Sequence, residues 1–352
     1  MNMKFHFKAI LSLFLICFIS KSGVAQYTDV INSNRPGSSM SSFSVGKRVL
    51  QIETGLNYKS YRHDGFNNSQ VDAFAVDFAV RYGFFKEQLE VIWDFTYQFD
   101  ELMNRTVSPE LSENRNGFVK NTIGAKYMIY NPISDEDKII NIRSWDANYG
   151  FHWKDMIPTV SIYAGANLIL GDTPYDYYNM FNLQNVAFYS QLEEPQISPK
   201  VVLTTQSNFA GYWVLVTNWS YNRIGTDYPE MGYIVTLTHS FKNNPRLSIF
   251  AENQGYKSDI YSDVLVKGGF AYLLGRDFQI DFGLGASFKN TPSQTNVALG
   301  VSFRIDRHVD EVKTNKEKSN KDLSKGKKKK KLKKKKKKKS KVKEIEESIE
   351  EE

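Results

Sequence analysis

The charged residues of this chain fall on the polar phase of segments whose alternate positions are mostly apolar. That spacing limits the chemistry open to them. Glu53 and Lys59, Asp77 and Arg81, Glu90 and Asp94, and Lys120 and Lys126 form four such pairs. Lys200, Glu252, Lys267, Asp281 and Arg304 continue the series in later segments. Acids and bases gathered on one enclosed face can neutralise one another and pack an interior, or they can line a polar path for a solute. An isolated enclosed charge is costly, which argues for mutual pairing, but both readings stand at this stage.

Catalytic patterns are missing from the sequence. His6, His63, His152, His239 and His308 include no pair at metal-ligand spacing and no His-Glu-x-x-His. There is no Gly-x-Ser-x-Gly, and His239 falls on the apolar phase of its segment. Cys17, the single cysteine, sits in the N-terminal apolar run. No enzyme, metal or cofactor is expected.

The elements that must position these charges are long strands. Leu50, Ile52, Thr54, Leu56 and Tyr58 alternate with Gln51, Glu53, Gly55, Asn57 and Lys59. Phe74 to Tyr82, Leu89 to Phe99, Phe278 to Phe288 and Val297 to Ile305 repeat the pattern. Weaker strands are expected to begin near Phe118, Ile157, Gln196, Ala210, Met231, Arg246 and Asp259, which brings the total to twelve. Segments this polar on one face do not suit a parallel α/β sheet, whose strands are buried on both sides. Their length matches the roughly 9–11 residues of a tilted membrane-spanning strand. Aromatics make up 14% of the chain and gather near strand ends, as interfacial girdles require.

The expected fold is therefore all-β: a transmembrane antiparallel up-and-down barrel of about twelve strands over residues 47–306. Short turns are expected at Phe84-Phe85-Lys86, Asn208-Phe209, Asn243-Asn244-Pro245 and Gly275-Arg276. Long loops are expected at Asp100–Gly117 and Gly171–Gln196. The Asn131–Met156 connection is too long for its end of the barrel and leaves room for a strand pair or a small helix.

The chain ends carry separate signals. Lys4 and Lys8, the apolar run Ala9–Ser20 and Gly23-Val24-Ala25 read as a signal peptide over residues 1–25. That run is shorter than the ~20 residues of a spanning helix. Residues 26–46 form either a lumen plug anchored by Arg35 and Pro36, with Arg35 meeting carboxylates such as Glu53 or Glu90, or a disordered leader. Residues 307–352 form a disordered tail, basic and then acidic, with 14 Lys between Lys327 and Lys343. The tail suits either an anionic envelope partner or plain solvation; nucleic acid is not expected after secretion.

Short motifs add a resemblance. Asn34-Arg35-Pro36-Gly37, then Gln51-Ile52-Glu53-Thr54-Gly55, Arg81-Tyr82-Gly83, Leu89-Glu90, Gly124-Ala125-Lys126-Tyr127, Phe250-Ala251-Glu252 and Gln279-Ile280-Asp281 occur in order. Together they resemble the transporter family named for the meta-pathway of phenol degradation. The resemblance implies a barrel in the outer membrane of a Gram-negative bacterium, in contact with lipid and passing small, hydrophobic or aromatic solutes. The other reading is a structural barrel with a packed lumen. Asn34 and Gly37 stand where the family usually carries acids, and the Lys-rich tail lies outside its pattern.

Overall fold

The computed structural model describes residues 28, 30–64, 68–105, 111–132, 150–151, 153–170, 174–175, 195–259, 261–290 and 292–308. The expected signal peptide, and the expected tail beyond His308, lie outside these residues. Twelve strands run in chain order: β1 Leu50–His63, β2 Ser69–Gly83, β3 Leu89–Asn104, β4 Leu111–Tyr130, β5 Thr159–Leu168, β6 Ile197–Phe209, β7 Trp213–Asn222, β8 Glu230–Phe241, β9 Asn244–Ser258, β10 Ser262–Leu273, β11 Phe278–Ser287 and β12 Ser293–Ile305. Each pairs antiparallel with its neighbours, and β12 returns to β1 to close the barrel, from Leu50↔Ile305 to Arg62↔Ser293. Closure leaves no sheet edge with unpaired backbone groups, a condition for standing in lipid. Among the described residues no helix is long and apolar enough to cross a membrane.

Alternation fixes which face looks inward, because a slip of one residue would reverse every side chain. Leu56 is 64% exposed and Phe74 66%, whereas Gln51 is 1%, Arg81 0% and Glu90 0%. Apolar outside and polar inside is the inverse of a soluble core, and it fits a lipid-facing barrel. Aromatic rings meet across the outer face of β1–β4, with Tyr58–Phe74 at 5.1 Å, Phe78–Phe95 at 5.2 Å and Tyr97–Phe118 at 5.0 Å between centroids. His239 also lies on an outward phase, its ring 4.3 Å from that of Trp213.

Several connections differ from expectation. Asp100–Gly117 is mostly strand: β3 runs on to Asn104 and β4 begins at Leu111, with Asp100 opposite Arg115 in the register. Those two side chains pair inside the barrel at 2.8 Å, which supports pairing beyond the apolar band. Asn208 and Phe209 end β6, and the turn falls at 210–212, where Ala210 and Gly211 adopt φ of 48° and 67°. Asn244 and Pro245 open β9; the first positions of a strand tolerate a residue without an N–H. The described part of the Asn131–Met156 connection contains a 3-10 turn, Trp153–Met156. The turns at 84–88 and 274–277 contain the residues expected there.

Candidate functional site: the occupied lumen

The residues that precede β1 lie within the barrel. This stretch is coil from Ile31 to Ser44, so its backbone polar groups have no ladder of their own and must find partners elsewhere. Inward side chains of the wall supply them. The Asn218 amide accepts from Met40 N at 2.6 Å and donates to Met40 O at 2.9 Å. Gln206 Oε1 accepts from Ser41 Oγ at 2.8 Å and from Ser42 N at 3.3 Å. Gln279 donates to Arg35 O at 3.0 Å, and the Ser33 and Ser302 hydroxyls stand 2.8 Å apart. Glu252 accepts the N–H groups of Ser38 (2.9 Å) and Ser39 (3.3 Å) and the Thr236 hydroxyl (2.7 Å). A Cβ at Gly37 would come within 2.5 Å of Glu252 Oε2. An acidic side chain at 37 would therefore face a carboxylate, and the neutral glycine here fits that neighbour.

Arg35 has a cradle of its own. Four residues stand side by side across adjacent strands: Asp77 on β2, Gly55 on β1, Gly300 on β12 and Asp281 on β11. The guanidinium lies over the two glycines, where a Cβ at Gly55 would meet Nη2 at 2.2 Å and one at Gly300 would meet Nε at 2.2 Å. Its flanks face the two aspartates, at 3.6 Å from Asp77 and 3.3 Å from Asp281. The expected partners, Glu53 and Glu90, are not those of Arg35, because Arg81 stands between that pair and takes both.

Arg81 is fully buried and reaches Glu53 at 3.2 Å and Glu90 at 3.1 Å. Lys126 meets Glu90 at 2.6 Å, so two cations balance two carboxylates. The cluster also holds the N-terminal segment. Arg81 donates to Asn32 O at 2.8 Å, Lys126 donates to Ser41 O at 2.6 Å and Phe43 O at 2.9 Å, and Glu90 accepts from Val45 N at 2.8 Å. Buried charges tolerate this setting only when paired and hydrogen-bonded throughout. Arg304, near the end where both barrel termini lie, pairs with Asp277 at 2.8 Å and donates to Thr28 O at 2.7 Å.

Residues Asn34–Gly37 border two cavities. One, of about 230 Å³, extends toward Pro245 and Arg246 at the start of β9. The other, of about 260 Å³, extends toward the opposite end and receives Lys59, Asp94, Lys120, Lys200 and Lys267. Lys120 pairs with Asp94 at 2.5 Å, and Lys267 donates to Ser38 Oγ at 2.7 Å. The thirteen wall residues singled out from sequence thus divide between the paired cluster, the Arg35 and Glu252 contacts, the larger cavity and the Arg304 end.

Sequence reasoning missed the glycine floor, the amide clamps Gln206 and Asn218, and Tyr175. Tyr175 comes from the long β5–β6 connection and is buried against Val119, Tyr228 and Tyr261. Its hydroxyl donates to Asp100 at 2.5 Å, and Arg115 stands 5.5 Å above its ring. Burial, and then the bond to Asp100, push the hydroxyl's pKa up from its ordinary value. Gln206 and Asn218 carried a usable signal, since both lie on inward phases. Tyr175 carried none, because loop docking leaves no periodicity.

The fold and this interior together define a transmembrane β-barrel that holds its own N-terminal segment. The family described as "Putative MetA-pathway of phenol degradation" matches residues 33–305, and the chain belongs to it. Among solved structures, an outer membrane channel from Pseudomonas putida F1 is similar at 9% identity and a TM-score of 0.49, over 78% of this chain and 100% of that one. The CymD monoaromatic hydrocarbon channel is similar at 9% identity and a TM-score of 0.39, over 75% and 90%. The KdgM porin is similar at 11% identity and a TM-score of 0.35, over 72% and 99%. No curated protein matches the sequence.

Proposed function

We propose that this chain is an outer-membrane channel for small solutes, with residues 33–42 as a plug that Arg35 anchors. The observation that carries this reading is the cavity on each side of Asn34–Gly37: the lumen is interrupted by a segment, not filled by wall side chains. The plug is held by hydrogen bonds and ion pairs between polar groups, which water can replace on release. An apolar plug would lack that exchange. Membership of a family described by phenol degradation supports small aromatic solutes as cargo. No catalytic step enters the reading.

The sealed Arg81–Glu53–Glu90–Lys126 cluster favours a second reading, a structural barrel with a permanently packed lumen. Planar-bilayer recordings separate the two. The channel reading expects rare openings from the native protein and more frequent ones from Arg35→Ala, together with faster proteolysis of residues 33–42. Silence from both proteins, with the segment equally resistant in each, favours the packed barrel.

A further inference from the structure

The larger cavity has a composition that the plug does not require. Lys59, Lys120, Lys200, Lys267 and Arg35 all border it. Three carboxylates border it as well, and each is engaged: Glu53 with Arg81, Asp77 with Arg35, and Asp94 with Lys120. With Asp281, which shares Arg35 with Asp77, and Glu252, which holds Ser38, five cations stand against four acids not taken by Arg81, a surplus of one positive charge. Among the described residues, neither Lys59 nor Lys200 stands within ion-pair distance of a carboxylate, although each faces the cavity. If this wall served only to pack the lumen, the charges would balance, as they do around Arg81.

The rest of the lining is mixed, seven Asn, Ser and Thr residues beside an apolar group. Ile92, Val202, Ile234, Phe250 and Met40 share the same space, and Ile92 and Val202 are packed with Tyr163 into a cluster against which Met40 rests. Amine donors and hydrocarbon within one enclosed space match a solute with an anionic head and an apolar body. Size agrees: a cavity of roughly 150 Å³ accepts benzene, and this one, at about 260 Å³, has room for a ring and a carboxylate.

We infer that the cavity is a binding site for small organic carboxylates with an apolar body, of the one-ring aromatic acid class. Lys59 on β1 and Lys200 on β6, on facing walls, supply the positive charge that draws in the carboxylate, and Ile92, Val202, Ile234 and Phe250 cover the ring. The inference names a substrate class for the proposed channel and so rests on that reading. Its physical core, a site that binds an apolar anion, can be tested without any conductance.

The test is calorimetric titration of the full-length protein in detergent with four probes: benzoate, benzyl alcohol, benzylamine and acetate. Benzoate should bind most tightly, since benzyl alcohol lacks the charge, benzylamine reverses it and acetate lacks the ring. K59Q/K200Q should weaken benzoate by about tenfold or more, the scale of a charge-assisted hydrogen bond, and leave benzyl alcohol unchanged. K59R/K200R should restore benzoate binding, which guards against a variant that merely misfolds. Benzoate binding no tighter than benzyl alcohol, or unaffected by K59Q/K200Q, overturns the inference. Benzoate binding by a protein that never conducts keeps the site and refutes the channel.

Discussion

At the scale of residues, the Arg35 cradle concentrates the physics of the lumen. Two aspartates alone would attract a guanidinium, but it comes to rest between them because Gly55 and Gly300 leave its plane a floor with no side chain. The consequence is specific. Gly55→Ala or Gly300→Ala should release the segment much as Arg35→Ala does, although neither removes a charge. The added methyl occupies space that the guanidinium fills, and overpacking of this kind typically costs about 1–3 kcal/mol. Limited proteolysis of residues 33–42 reads the effect. Equal resistance in the alanine variants and the native protein would contradict the cradle. Removing Arg35 should be harsher, because it strands Asp281 in the wall, and breaking a buried pair costs about 3–5 kcal/mol.

Arg35 was legible in the sequence, but its partners were not. The acid opposite it depends on which residues of β1, β2, β11 and β12 stand level. That level is set by the closing register Gly55↔Gly300, between strands more than 200 positions apart. Strand alternation assigns each residue a face and says nothing about height along the barrel axis. Height decides which inward charges meet, so the inward set could be named while Glu53 and Glu90 were mistaken for the partners of Arg35.

At the scale of elements, strands were readable where their outer phase is apolar and obscure where they rise beyond the lipid. β3 and β4 continue past Phe99 with polar residues on both phases, so a loop was expected where paired strand continues. What holds that extension is internal: Asp100 with Arg115, and Tyr175 docked upon them. Tyr175→Phe keeps the ring and loses the bond to Asp100, which should weaken docking by about 1.5–3 kcal/mol, the scale for a hydrogen bond to a charged group. The docked hydroxyl is held protonated, its pKa raised above the ordinary 10.0. Docking therefore contributes fully below pH 10.0, where the undocked tyrosine is also protonated, and fades as alkali ionises the undocked form. Protease cleavage at position 175 should be slow at neutral pH and accelerate above pH 10.0 in the native protein, with Tyr175→Phe cut faster at neutral pH and losing that rise. Identical profiles for the two proteins would contradict the docking.

At the scale of the whole molecule, the barrel separates two solvents. Its outer phase is exposed hydrocarbon and its inner phase is a polar network that water could otherwise satisfy. The chain's own N-terminal segment occupies part of the wet interior, bonded to the wall at several heights. The proposed plug has two positions: docked, it exchanges bonds with the wall; released, both partners return to water. The net gain is about 0.5–1.5 kcal/mol for a neutral bond and about 1.5–3 kcal/mol for one to a charged group, so release needs the loss of several contacts and not the unfolding of the barrel.

The central claim is that this segment closes the lumen, and a removable lock tests it most directly. The Ser33 and Ser302 hydroxyls stand 2.8 Å apart, a spacing that a disulfide of about 2.05 Å can replace with small adjustment. Cys17, the sole native cysteine, falls within the expected signal peptide. In a planar bilayer, oxidised S33C/S302C should show no openings, and reduction should restore the native rate of openings. Equal conductance in the oxidised and reduced states would contradict the claim, as would silence in both.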